Sequence, residues 1–286
     1  MPTRIEAAHA VRGDREHRSS LELAKTAALG CLDKAGCPPD RVDLITYSGL
    51  LRDDHVQEPA NAPFLQRAIG ANPVPGERYP SGTFSFDVSE FLSALEVAAG
   101  FVESGRAERA LVVAADAGLV GCESSGIAPA AGALLLTRDP ERGFRSFRSR
   151  NYPQWSDRLQ RRVYWNGRIH ELRTETRDDW LERCVEATQE LATEFFSEHG
   201  APSENVLVIP SQSPRGFPAA IEKCLALPCV SVAPCGEDDI YSAGPITAIV
   251  EAAERFRKAD QILFATVAPG LISTLALYDK RPDAAF

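Results

Sequence analysis

Residues 85–118, SFDVSEFLSALEVAAGFVESGRAERALVVAADAG, constrain the fold more than any other stretch. They read as strand, buried helix and strand. Phe86-Asp87-Val88 is a short apolar entry. Ser89 can cap a helix, because its hydroxyl accepts a bond from an orphan amide of the first turn. Phe91, Leu92, Leu95, Val97, Ala98, Phe101 and Val102 then cover nearly the whole helix circumference, which predicts burial on all sides. Gly105 fits the left-handed position after the last turn. Ala110-Leu-Val-Val-Ala-Ala115 is a continuous apolar run, as expected of a strand covered on both faces. A buried helix feeding a buried strand belongs to the middle of a layered α/β protein.

The remaining chain is read around this centre. Residues 4–11 suit an edge strand. Ser19 or Ser20 can cap a helix reaching about residue 35, with a stripe of Leu21, Leu23, Ala24, Ala27, Ala28, Cys31 and Leu32. Gly36 and Pro38-Pro39 stop it. Residues 42–47 form a strand and 64–69 a short helix ending at Gly70. Asp53, Asp54, His55 and Glu58 lie in a long loop, where no regular spacing aims them at a common metal. A glycine-rich loop at 118–126 precedes a strand at 133–137. It is neither a dinucleotide fingerprint nor a nucleophile elbow. Residues 142–173 change character. Arginines, including Arg145, Arg148, Arg150, Arg161 and Arg162, alternate with Phe144, Phe147, Tyr152, Trp155, Tyr164 and Trp165. This is either a solvated connection between halves or a surface for an acidic partner or a phosphate-bearing ligand.

The second half repeats the first. The helix at 178–198 and the strand after it parallel the opening helix and strand. SAGPITAIVEAAERFRKADQILFATVAPG at 242–270 parallels 91–118. The expected layout is two halves, 1–140 and 141–286. Residues 90–103 and 242–257 are the equivalent central helices, and the site lies at the carboxyl ends of the strands.

Composition narrows the function classes. A net charge of −9 disfavours general nucleic-acid binding. The opening residues carry no secretory core, and no apolar run approaches the roughly 20 residues of a membrane span. Seven cysteines without a CxxC pair suit small buried hydrophobes in a reducing cytoplasm. No cofactor or metal is expected.

Several segments together resemble the thiolase-fold condensing enzymes, above all β-ketoacyl-acyl-carrier-protein synthase III. They are the opening helix and strand, FLSALEVAAGFVESGRAERALVVAAD, AAGALLL at 130–136, VIPSQ at 208–212 and the closing ATVAPGLISTLALY. The resemblance runs from about residue 19 to 278. It implies a five-layered α-β-α-β-α sandwich, usually dimeric, and acyl transfer through a cysteine thioester. It also implies a cysteine at a helix N-terminus, a histidine, and an asparagine or second histidine. The matching positions here are degenerate. Ser89 and Glu90 alone join the strand to the helix where the family carries its nucleophile loop. Ser211 stands where the family has histidine, and Asp239 is the nearest match to the asparagine. The family's tryptophan and arginine against the coenzyme A nucleotide have no clear counterpart.

The resemblance therefore implies a non-catalytic subunit that pairs with a catalytic thiolase-fold homologue. The pair would serve acyl condensation in fatty-acid-like or polyketide-like specialised metabolism, with acyl carrier protein or acyl-coenzyme A as a further partner. Their interface is expected around residues 83–88. The alternatives are a stand-alone acyltransferase or condensing enzyme with a rebuilt site, using Ser89, Ser211 or Cys235, and an acyl- or carrier-protein-binding module.

Overall fold

The computed structural model describes residues 1–14, 19–50, 60–71, 81–87, 91–117, 126–165, 167, 170–233 and 238–280. The elements of the first half are β1 (Thr3–Arg12), α1 (Ser20–Ala35), β2 (Leu44–Gly49), α2 (Asn61–Ile69), β3 (Gly82–Asp87), α3 (Phe91–Glu103), β4 (Arg109–Asp116) and β5 (Ala130–Arg138). Those of the second are β6 (Gly143–Asn151), β7 (Leu159–Trp165), β8 (His170–Thr176), α4 (Trp180–His199), β9 (Val206–Pro210), α5 (Phe217–Leu225), α6 (Gly244–Glu251), α7 (Ala253–Lys258), β10 (Gln261–Ala268) and β11 (Ile272–Asp279).

Local chemistry sets the boundaries. The Ser19 side chain accepts from the Glu22 amide at 3.0 Å and opens α1. Gly36 closes α1 at φ 61°, a left-handed conformation that a Cβ would strain. α2 starts at Asn61, before Pro63, since a proline in the first helical turn removes no intrahelical bond.

The first sheet runs β1-β5-β4-β2-β3 and the second β6-β11-β10-β9. In each, the first two pairings are antiparallel and the third is parallel. The second sheet thus repeats the first four positions of the first, in order and direction. Where β3 stands in the first sheet, the second has a single parallel bridge between Val208 and Cys229.

The two sheets sandwich α3 and α6. Phe91, Leu92, Leu95 and Ile246 share one core with Val112 and Leu134 of the first sheet and with Ile209 and Phe264 of the second. α1 and α2 cover the outer face of the first sheet. α4 and α5 cover that of the second. The result is the five-layered α-β-α-β-α sandwich that the sequence implies. Close approach in its centre depends on Gly132 of β5, where a Cβ would stand 2.6 Å from the Ile246 side chain.

Two expectations change. Residues 142–173 are not a plain connection. They supply β6, which lies at the edge of the second sheet, and a separate β7–β8 hairpin. The helix expected at 242–257 is divided into α6 and α7 at Ala252, whose backbone (φ −97°, ψ 28°) leaves helical geometry.

Candidate functional site

Three carboxyl strand ends and the lead into α6 converge at one end of the sandwich. β4 ends in Asp116, which is 1% exposed. Its Oδ1 accepts from the Leu50 amide, just past β2, at 2.6 Å. Its Oδ2 accepts from the Ser242 amide, ahead of α6, at 3.0 Å. One buried carboxylate therefore clamps a loop of the first sheet to a segment of the second half. Thr46 and Ser48 alternate with Ile45 and Tyr47 along β2, and so share the face of Leu44 toward the central helices. The Ser48 and Ser242 hydroxyls are fully buried and have no hydrogen-bond partner among the described residues.

In the second half, Ser211 follows β9 directly. Its amide donates to the Ala265 carbonyl at 2.9 Å, extending the pairing with β10. Its hydroxyl accepts from the Val267 amide at 3.0 Å and donates to the Val267 carbonyl at 3.4 Å. The hydroxyl's donor and one of its two acceptor sites are thus used on one strand. Gln212 is used similarly: Oε1 accepts from the Val232 amide at 2.8 Å, and Nε2 donates to the Pro210 carbonyl at 2.9 Å.

Asp239 is tied to the segment ahead of β5. Its amide donates to the Gly126 carbonyl at 3.0 Å, and its carbonyl accepts from Ala128 at 2.9 Å. Its carboxylate accepts from the Arg215 amide at 3.1 Å and lies 3.4 Å from that residue's Nε. Burial pushes the Asp239 carboxyl above its usual range, outweighing Arg215 and a side-chain bond from Ser213. Gln212, Arg215, Ser231, Asp238 and Asp239 line a cleft of about 200 Å³. Asp239 therefore meets Ser213 and Arg215, while Ser211 faces β10.

The other expected site residues divide. β3 ends at Asp87 and α3 begins at Phe91, so Ser89 and Glu90 fall between them, outside the described residues, as does Cys235. Arg148 pairs with Glu198 of α4. Arg150 Nη1 donates to Glu194 at 2.8 Å, also on α4. Arg145 donates to the Glu141 carbonyl at 2.5 Å, and Arg162 to Gln160 at 2.7 Å. The Arg161 side chain lies outside the described residues. These arginines are spread over an edge strand and the hairpin, and the four whose side chains are described all bond within the chain. Such exposed pairs contribute little stability.

Cysteine chemistry is unpromising among the described residues. Burial pushes the Cys31 and Cys229 thiols up to about 12, and it raises Cys37, Cys184 and Cys224 as well. The Cys31 and Cys229 thiols therefore carry almost no thiolate at neutral pH. The described residues hold no group of three or more histidine, cysteine or carboxylate side chains placed to bind a metal.

Sequence reading did not single out Asp116, the Ser213–Asp239 contact or the Ser48 and Ser242 hydroxyls. Asp116 had a visible signal: a carboxylate closing an otherwise apolar buried strand, at the end where α/β sites form.

No protein-family model matches the chain. The β-ketoacyl-[acyl-carrier-protein] synthase III of Aquifex aeolicus is 26% identical over 240 residues, covering 76% of this chain and 70% of that relative. The protein of the same name from Erythrobacter litoralis is 36% identical over 98 residues, only 27% of its own length. The crystal structure of 3-oxoacyl-(acyl carrier protein) synthase III from Pseudomonas aeruginosa superposes with TM-score 0.80 at 16% identity, covering 100% of both chains. That of Xanthomonas campestris OleA, in a substituted form, gives TM-score 0.80 at 14% identity over 98% of each. The Aquifex aeolicus synthase structure gives 0.77 at 19% identity, over 97% of this chain and 99% of the other. Strand order, layering and these likenesses agree: the chain has the thiolase fold of the β-ketoacyl-acyl-carrier-protein synthase III structures.

Proposed function

We propose that this chain is a non-catalytic ketosynthase III-like subunit, composed of halves 1–140 and 141–286, that pairs with a catalytic thiolase-fold partner. The pair would act in the cytoplasm on acyl groups carried by acyl carrier protein or coenzyme A. One observation carries this reading. The Ser211 hydroxyl, which the resemblance sets at the family's histidine position, donates to and accepts from Val267 of β10. A group that must relay protons or hold an oxyanion cannot be spent on a strand ladder. Asp239 points the same way, since a carboxylate beside a developing oxyanion would repel it.

The fold's frame, by contrast, is whole. α3 and the strands around it are closely buried. Among the described residues β3 is the edge strand of the first sheet, and it carries Phe84, which is 42% exposed. Phe86, two residues on, is partly buried against the central core. An unpaired apolar edge suits strand-to-strand association. An obligate pair buries roughly 2,000 Å² or more in total.

Co-expression with an intact thiolase-fold homologue from the neighbouring genes, followed by size-exclusion chromatography, tests the proposal. Co-elution and condensation activity dependent on both chains are expected. Phe84→Asp should abolish co-elution, because it puts an unpaired carboxylate on the exposed edge that the interface would bury. A partner that is soluble and fully active alone contradicts the reading.

One contact favours the alternative of an acyltransferase with a rebuilt site. Ser213 bonds to Asp239, whose carboxyl burial raises above its usual range. In that case acyl transfer by this chain alone should fall in Asp239→Asn.

A further inference from the structure

One row of α3 is left uncovered. Most of the helix is buried between the two sheets, from Phe91 to Val102. Glu96, Gly100 and Glu103 are exposed. They are spaced by four and three residues, so they lie in one row along the helix. Val97 and Phe101, half-buried, link this row to the edge strand β3. There the Phe84 ring stands 5.6 Å from the Phe101 ring in an edge-to-face contact. Strand edge and helix row therefore make one continuous surface.

Contacts among the described residues do not account for this row. Gly100 sits inside the helix, where glycine is a poor helix former. A Cβ there would meet nothing within 4 Å, so no internal contact calls for its absence. A small residue on an outer helix face suits a second helix crossing at short range, because interaxial distance follows side-chain size. Glu96 and Glu103 flank it, and α3 carries no lysine or arginine. Desolvation holds both carboxyls above their usual range, and for Glu103 the N-terminal ammonium offsets this only in part. Arg106 lies past the helix end, beyond the left-handed Gly105. Covering two such carboxylates with apolar surface alone would be costly, so the cover must bring cations.

We propose that the α3 row selects the pairing partner. It takes a helix of a thiolase-fold homologue that carries lysine or arginine against Glu96 and Glu103, and it rejects a second copy of this chain. The inference rests on the pairing proposed above and adds the partner's chemistry. Twofold self-association sets a patch against itself. With Gly100 at the crossing, antiparallel helices place Glu96 of one copy beside Glu103 of the other. Parallel helices match each glutamate with its own equivalent. In either direction glutamate meets glutamate. A basic helix reverses the sign at both contacts, so the same two residues attract one partner and repel the other.

A charge-reversed copy of this chain is the probe. The full-length unaltered protein and a full-length Glu96→Lys/Glu103→Lys variant are examined singly and mixed by analytical ultracentrifugation. Both positions are exposed, so the variant should fold, and circular dichroism checks that it does. The mixed pair should form about tenfold or more tightly than either chain binds itself. Gly100→Trp should abolish the mixed pair without unfolding the chain, because the space it enters is open. A mixture that stays monomeric overturns the proposal, as does an unaltered chain that self-associates as tightly as the mixture. If the reversed chain misfolds, Glu96→Gln/Glu103→Gln decides: it should self-associate about tenfold or more tightly than the unaltered chain, and no gain overturns the proposal. Co-elution separates the two readings. A neighbouring homologue that co-elutes equally with the unaltered and reversed chains keeps the pairing and overturns this choice of partner. A mixed pair without co-elution of that homologue supports the selecting surface and contradicts the pairing.

Discussion

Phe264→Ala is expected to destabilise the protein by roughly 3–5 kcal/mol, the range for deleting a fully buried aromatic side chain. Phe264 is 0% exposed and stands on β10 facing the central helices. Its ring centroid lies 6.5 Å from Phe91 of α3 and 5.8 Å from Phe144 of β6. It therefore joins a central helix to two strands of the second sheet. Alanine leaves a void that those neighbours, held in their own elements, cannot close. Chemical denaturation of the isolated chain measures the effect. A loss below about 1 kcal/mol would mean that the central layer repacks freely, contrary to the dense core described.

Asp116→Ala should be nearly as damaging, by roughly 3–5 kcal/mol, because it removes two hydrogen bonds to a charged acceptor and orphans two amides. The Leu50 and Ser242 amides are both held by this one side chain. Asp116→Asn should recover part of the loss, since its carbonyl oxygen can serve one amide while its NH2 opposes the other. Thermal melting of the two variants reads the difference. Equal melting temperatures for alanine, asparagine and the unaltered chain would show that the clamp carries no weight.

The fold was legible where burial is uniform. Residues 110–115 are apolar without a break because β4 is covered on both faces, and all six are buried. The stripe on α1 and its glycine stop gave that helix nearly to the residue. β6 was harder for a geometric reason. Tyr278 pairs with Phe144 and Leu277 with Ser146, so Arg145 sits in a bulge. That extra residue puts Phe144 and Phe147 into one stacked pair, with centroids 5.1 Å apart, at a spacing of three. A period-two reading fails there, and the arginines look like a solvated run. The β7–β8 hairpin pairs with neither main sheet, so its strands lack the burial signal that marked the others.

The resemblance reads the site as a set of substitutions, and its geometry is not legible in the sequence. The resemblance implies that Ser211 and Asp239 stand at the family's positions. What they bond to depends on contacts far away in sequence, such as Ser211 with Val267 and Asp239 with Gly126. The clamp at Asp116 joins residues 66 and 126 positions away, a separation that local pattern does not reveal.

Intact-mass spectrometry of the isolated protein tests the central claim most directly. The chain is incubated with acyl-coenzyme A and with acyl-acyl-carrier-protein thioesters, and its mass is read before and after. No covalent acyl adduct is expected, since the Ser211 hydroxyl is held by β10 and burial raises the described thiols. A stoichiometric adduct, lost in Ser89→Ala, Ser211→Ala or Cys235→Ala, would contradict the account and make this chain an acyltransferase in its own right.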